Sequence, residues 1–257
     1  MSQPSAIELS LDRLTIRFGG LTAVDGLSFQ VRQGEIASLI GPNGAGKTSA
    51  FNAITGYIAP AAGSVSWRGK RLDGLKPHQI AELGVVRTFQ KTSVFAGLSV
   101  LDNVLIGLHL RSKQQPLAAL LGRVAAEEAA LATEAHGILQ FIGLAARLGQ
   151  LASSLPYGEL RLLEVAIALA AKPKLLLLDE PVCGLNPAET ASFMQLIDRI
   201  RALGMTILLV EHDMKMVMGV SDRIVCLNEG RVIAEGAPAD IQKHPEVVRA
   251  YLGRPRT

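Results

Sequence analysis

The sequence predicts an α/β fold: a mostly parallel sheet at the core, an antiparallel β subdomain at the N-terminus and an inserted α-helical subdomain. Three observations carry this. A glycine-rich segment, Gly41 to Thr48, lies between an apolar run and a helical one. Beyond residue 170, short apolar runs alternate with helical stretches, the pattern of a parallel sheet. Between Lys91 and Leu155 the pattern is instead that of long helices.

Taken in order, Ile7 to Val31 alternates apolar and polar residues around turn signals at Phe18-Gly19-Gly20 and Asp25-Gly26, which predicts antiparallel strands. Glu35 to Ile40 reads as a buried strand, Gly41 to Thr48 as a loop and Ser49 to Gly56 as a helix. Leu98 to Leu110 and the alanine-rich run Leu117 to Ala135, which carries Glu127 and Glu128, predict helices packed on their neighbours. Strands return at Lys174 to Leu178 and Thr206 to Val210, with a helix over Pro187 to Leu203 between them. A hairpin around Asn228-Glu229-Gly230 and a closing helix with Pro245 near its first turn complete the chain. Residues 1–257 read as a single domain, with 7–90 and 170–257 as its core and 91–169 as the helical subdomain.

At 257 residues the chain is long enough to bury one sizeable core. Its 49% apolar and 19% charged content is that of a folded protein, and 26 basic against 23 acidic residues give a net charge of only +3. Disorder and a strongly basic nucleic-acid binder are both disfavoured. The pI near 9.0 is met by a few surplus surface Arg and Lys. Cys183 and Cys226 show neither CxxC nor Cys/His spacing, which argues against a metal site or a disulfide framework and fits reduced cytosol. The start, Met1 to Ala6, lacks the basic and apolar regions of a signal peptide. No run approaches the ~18 apolar residues needed to span a bilayer, so the expectation is a soluble or peripheral protein.

Gly41-Pro42-Asn43-Gly44-Ala45-Gly46-Lys47-Thr48 fits GxxxxGK[ST] in full, after a strand and before a helix. Its glycines let backbone N–H groups close around a β-phosphate, the helix dipole adds positive potential, Lys47 reaches the β/γ oxygens and Thr48 can ligate Mg²⁺. Residues Gly41 to Ser49 are therefore the candidate segment for a nucleoside triphosphate. Leu175 to Glu180 is an apolar strand ending in two carboxylates, where ligands sit in open α/β sheets. Asp179 would hold Mg²⁺ and Glu180 would orient or deprotonate the water that attacks the γ-phosphate. Read alone, this segment is equally a strand reaching a polar turn; the upstream loop favours the functional reading.

Four further pieces in the right order make the chain resemble the nucleotide-binding subunit of ABC transporters. Phe18 resembles the aromatic on which adenine stacks, and Gln90 in Val86-Arg87-Thr88-Phe89-Gln90 the glutamine that senses Mg²⁺ and the attacking water. Leu155-Pro156-Tyr157-Gly158-Glu159 stands where that family has its LSGGQ signature, and His212 resembles the switch histidine at the γ-phosphate. Singly, each is as readily a core aromatic, a solvated amide or a capping residue. The resemblance narrows to the branched-chain amino-acid importer subfamily through Gly184-Leu185-Asn186-Pro187, Glu211-His212-Asp213-Met214, Ser221 to Ile224 and Arg249 to Gly253. It implies ATP and Mg²⁺, two transmembrane permease subunits, a second ATPase subunit and, indirectly, a periplasmic solute-binding protein, with no nucleic acid. It also implies a peripheral position on the cytoplasmic face of the inner membrane.

Two departures stand out. Pro156 replaces the family's serine and offers neither a hydroxyl nor an N–H, so the site completed by this signature is expected to hydrolyse more weakly than one completed by a different partner chain. Asn186 replaces an aspartate and is expected at the dimer contact. Rival readings find less support. ABC ATPases acting on DNA or ribosomes show tandem nucleotide domains, coiled-coil insertions or zinc cysteines, and a GTPase would show an NKxD motif. A nucleotide-binding scaffold without catalysis is kept open by Pro156. The cargo is not written in these residues: urea, short amides and other amino acids suit close relatives.

Overall fold

A computed structural model describes residues 6–88, 94–109 and 124–252. β1 (Ile7–Phe18) turns through Gly19 and Gly20 into β2 (Leu21–Arg32), and the alternating Leu9, Leu11, Leu14 and Ile16 are buried with Val24, Leu27, Phe29 and Val31. The second turn signal is instead a bulge. Leu14 lies opposite Leu27 and Ile16 opposite Val24, so the register slips at Asp25-Gly26 and the strand runs on. The bulge donors find other partners: Gly26 N–H donates to Thr15 Oγ1 at 3.2 Å and Asp25 N–H to the Gly230 carbonyl at 2.9 Å. β4 (Ala62–Trp67) and β5 (Lys70–Arg71), which the sequence reading did not single out, complete an antiparallel sheet in the order β2-β1-β4-β5.

β3 (Ile36–Ile40), β6 (Val85–Arg87), β7 (Leu175–Asp179), β8 (Thr206–Val210), β9 (Arg223–Asn228) and β10 (Arg231–Gly236) form the second sheet, ordered β10-β9-β3-β8-β7-β6. All its pairs are parallel except β9 with β10. β3, β7 and β8 are buried at every position, as continuous apolar runs must be when both faces are covered. Leu175 and Leu177 pack with the antiparallel sheet and with Phe51 and Ile54 of α1 (Lys47–Ile54). Leu176 and Leu178 point the other way, into a cluster with Val104, Leu139, Leu163 and Ile197.

That second cluster draws on α3 (Val100–His109), α4 (Val124–Ile142), α5 (Tyr157–Ala170) and α6 (Pro187–Ala202), while α2 (Pro77–Glu82) precedes β6. α4 extends beyond the expected end at Ala135, and the expected helix residues 117–123 lie outside the described ones. α7 (Met214–Val220), α8 (Pro238–Ile241) and α9 (Pro245–Leu252) close the fold. Because β3, β7 and β8 are parallel neighbours, their carboxyl ends deliver Gly41, Asp179 and Glu211 to one edge of the sheet. No helix among the described residues is long and apolar enough to cross a membrane.

Candidate functional site

After β3 the chain turns through Gly41 to Gly46 into α1. Gly41 has φ 153° and Gly46 φ 102°; a Cβ would stand 2.2 Å from the Leu227 carbonyl oxygen at the first and 2.5 Å from that of Ala23 at the second. Only glycine lets the loop close this tightly on its neighbours. The hairpin tip braces it, since Gly230 N–H donates to the Ala45 carbonyl at 3.1 Å. Lys47, 6% exposed, folds back so that Nζ donates to the carbonyls of Gly41 at 2.7 Å and Pro42 at 3.0 Å. Burial holds its pKa below the usual lysine range, against the pull of Glu180 and Asp179. Pro42 and Ser49 are half-buried, and Asn43, Gly44 and Thr48 are exposed around the helix N-terminus. With no acidic side chain in the first turn of α1, this is a cradle for an anion.

Asp179, 2% exposed, ends β7. Its Oδ2 accepts from Arg87 Nη2 at 2.6 Å, and Arg87 Nη1 donates to Asn52 Oδ1 on α1 at 2.7 Å. Oδ1 is buried with no hydrogen-bond partner. A buried carboxylate oxygen left without a donor is costly, and a hydrated cation would supply what is missing. No group of three or more His, Cys, Asp and Glu gathers to hold a metal among the described residues. An ion here would therefore keep water and ligand oxygens, the habit of Mg²⁺ beside phosphates.

Glu180 follows in the left-handed region at φ 49°, and its Oε1 lies 2.6 Å from His212 Nε2. The agent of this juxtaposition is Glu211, 3% exposed. Its Oε1 accepts from Val182 N–H at 2.9 Å and its Oε2 from His212 N–H at 2.7 Å, tying the loops after β7 and β8 together. Lys47, Asp179, Glu180 and His212 thus meet at one edge. Gln90 lies outside the described residues.

The signature residues do not join that cluster: their described partners are Arg147, Arg161, Gly184 and Glu189. Leu155 is buried, and Pro156 stands at the N-cap of α5 with no side-chain cap. Tyr157 is 46% exposed; its hydroxyl meets Arg161 Nη2, and the guanidinium sits 4.9 Å above its ring. The ring also abuts Gly184, φ 84°, where a Cβ would stand 2.9 Å from Cε1. A Cβ on Gly158 would come 2.7 Å from Glu189 Oε1, and Glu159 pairs with Arg147 at 3.0 Å. Beneath them Arg161 and Glu164 form a buried pair at 2.9 Å. Burial opposes the Arg161 charge, yet Glu164 and Tyr157 outweigh it and raise its pKa, while burial also raises Glu164 against the pull of Arg161.

Asn186 caps α6, its Oδ1 accepting from Ala188 N–H at 2.9 Å and Glu189 N–H at 3.0 Å. Phe18 is exposed at the tip of β1 opposite Leu21. Cys183 is exposed and Cys226 buried, both free; burial pushes the Cys226 thiol up to about 11 in spite of Lys47, so it is no reactive thiolate. Sequence reasoning missed Arg87, Asn52 and Glu211 as site residues. Arg87 and Glu211 stand inside segments already quoted, but only the pairing of β6 with β7 and of β7 with β8 gives them partners.

The chain matches the ABC transporter family over residues 24–183 and the Branched-chain amino acid ATP-binding cassette transporter family over residues 231–256. It is 46% identical to the high-affinity branched-chain amino acid transport ATP-binding protein LivG of Salmonella typhimurium, across 98% of this chain and 99% of that protein. BraF of Pseudomonas aeruginosa, which carries the same description, is 42% identical over the same shares. The crystal structure of an ATP-binding cassette of an ABC transporter in its ADP conformation superposes with a TM-score of 0.86 at 30% identity, covering 97% of this chain and 100% of that one.

Proposed function

The chain belongs to the ABC transporter family as an ATP-binding, ATP-hydrolysing subunit, and from that premise we propose that it powers uptake of branched-chain amino acids. The names of LivG and BraF support the cargo. The ATPase would work at the cytoplasmic face of the membrane, with two permease subunits, a second ATPase subunit and, indirectly, a periplasmic solute-binding protein.

One observation carries the residue assignment: the 2.6 Å contact of Glu180 with His212 stands where Glu180 and Asp179 both act on the Lys47 charge. In this reading Lys47 and the amides of Gly41 to Ser49 grip the triphosphate, and Phe18 offers its exposed ring to adenine. Thr48, Asp179 and Gln90 would hold Mg²⁺, which when bound offsets the charge of the phosphate oxygens. Glu180 orients the attacking water, and His212 holds Glu180 and reaches the γ-phosphate. Leu155 to Glu159 act on the nucleotide of the second subunit, which fits their standing apart from Lys47, Asp179 and Glu180 of their own chain, and Asn186 stands at the contact between subunits. Nucleotide would draw the 91–169 subdomains of two such chains together, and loss of the γ-phosphate would release them.

Lys47→Ala tests the grip. Binding of a fluorescent ATP analogue should weaken by about 10- to 100-fold, the worth of hydrogen bonds from a charged donor; retention of the parent's affinity would refute it. Vesicles holding the subunit with its co-purified permeases test the cargo, with ATP-dependent uptake expected for leucine, isoleucine and valine and not for urea or short amides.

A further inference from the structure

Arg87 touches both the helix of the phosphate cradle and the carboxylate at the end of β7. Its strand β6 lies beside β7, with Arg87 opposite Leu177. From there the guanidinium spreads over the buried Phe51 ring, 5.5 Å from its centroid, and forks, one nitrogen on Asn52 at 2.7 Å and the other on Asp179 at 2.6 Å. The ion pair is almost wholly buried, at 7% and 1% side-chain exposure.

Asn52 stands four residues after Thr48 on α1, hence on the same helical face one turn on. The fork therefore fixes the rotation of the helix that carries Thr48 against the carboxylate of Asp179. We propose that Arg87 is a positioning residue for the divalent cation: it consumes Asp179 Oδ2, leaves Oδ1 for the cation's water shell, and aligns that oxygen with Thr48. The inference rests on the reading of Asp179 and Thr48 as the cation-facing groups. A lysine could keep the charge but not the planar fork, and partners that orient metal-binding carboxylates typically set affinity by about 10- to 100-fold.

The test compares the intact parent subunit with Arg87→Lys, Asn52→Ala and Asp179→Asn. Each is titrated with Mg²⁺ in the presence of a fluorescent ATP analogue, and analogue affinity is also measured in a chelator. Arg87→Lys should need about 10- to 100-fold more Mg²⁺ for half-maximal binding while its metal-free affinity stays that of the parent. Asn52→Ala, which removes one arm of the fork without unpairing the buried carboxylate, should shift in the same direction by less, and it alone decides the matter if Arg87→Lys does not fold. A parental Mg²⁺ requirement in the folded variants, or equal losses with and without metal, would make Arg87 a merely structural partner. If Asp179→Asn also keeps the parental requirement, the reading of Asp179 itself fails. If only Asp179→Asn shifts, the role of Arg87 fails alone.

Discussion

The edge of the parallel sheet and the start of α5 solve opposite problems. At the sheet edge Lys47, Asp179 and Glu211 are almost fully buried, and each is held by neighbours in its own chain. At α5 the helix begins on an uncapped proline, Tyr157 is half-exposed, and the buried Arg161–Glu164 pair serves to hold that ring in place. The first region is held rigid by its own chain, with one buried oxygen, Asp179 Oδ1, left without a hydrogen-bond partner. The second is a braced surface set apart from that edge, with Glu189 lying against Gly158 at the start of its helix. On the proposed reading, such a protein would complete its chemistry against a second subunit.

The largest expected effect tests whether the sheet edge is the chemical half. Glu180→Gln keeps the size of the side chain and a hydrogen-bonding group facing His212 but removes the base, so ATP turnover should fall by about 10² to 10⁴ with nucleotide binding retained. Near-parental hydrolysis would take Glu180 out of the role and erase the contrast. Next in size is a pH effect. In the empty site burial lowers the Lys47 pKa, and bound phosphates would raise it again. Binding then takes up a proton between the two values: affinity is flat at lower pH and falls towards tenfold per pH unit once the empty-site lysine deprotonates. Calorimetry in buffers of different ionisation enthalpy should detect this uptake on the alkaline side, and Lys47→Arg, charged throughout, should show none.

A smaller effect probes the other region. Pro156→Ser restores a hydroxyl donor at the N-cap of α5, so turnover of the assembled transporter should rise by about two- to tenfold, the worth of one hydrogen bond. The isolated subunit, where the signature faces no partner, should show no such gain. Unchanged turnover in the assembly would mean that Gly158 and the helix end already suffice.

How far the sequence spoke differs between the two regions as well. The phosphate loop and the Asp179-Glu180 pair were legible because each is a contiguous string whose chemistry follows from local backbone: strand, glycine turn, helix. The fork was not, since Arg87 meets Asn52 and Asp179 across 35 and 92 residues of chain, and nothing near Arg87 announces either. Glu211 was hidden in the same way, its partner Val182 lying 29 residues off. Asp25-Gly26 was misread because a turn dipeptide and a bulge use the same positive φ; only the slipped register distinguishes them. β5 and β6, at two and three residues, are too brief for periodicity to mark, and β4 buries only Val65 and Trp67, too few to stand out.

The smallest effect separates structure from contact at the border of the two regions. Asn186 is expected between subunits, yet its side-chain oxygen is already committed to the cap of α6, and Asn186 N–H donates to Glu189 Oε2 at 2.9 Å. Asn186→Ala should cost about 1 kcal/mol, the usual worth of such a cap, read as a lowered denaturant midpoint of the isolated subunit. Asn186→Asp keeps an equivalent cap and adds a negative charge at a helix N-terminus, which the dipole favours, so its midpoint should hold. If Asn186→Asp alters ATP turnover only in the assembled transporter while leaving that midpoint alone, the residue serves both its own helix and the opposite chain. If Asn186→Ala leaves the midpoint untouched, the capping bonds carry no stability and the role of Asn186 lies wholly between subunits.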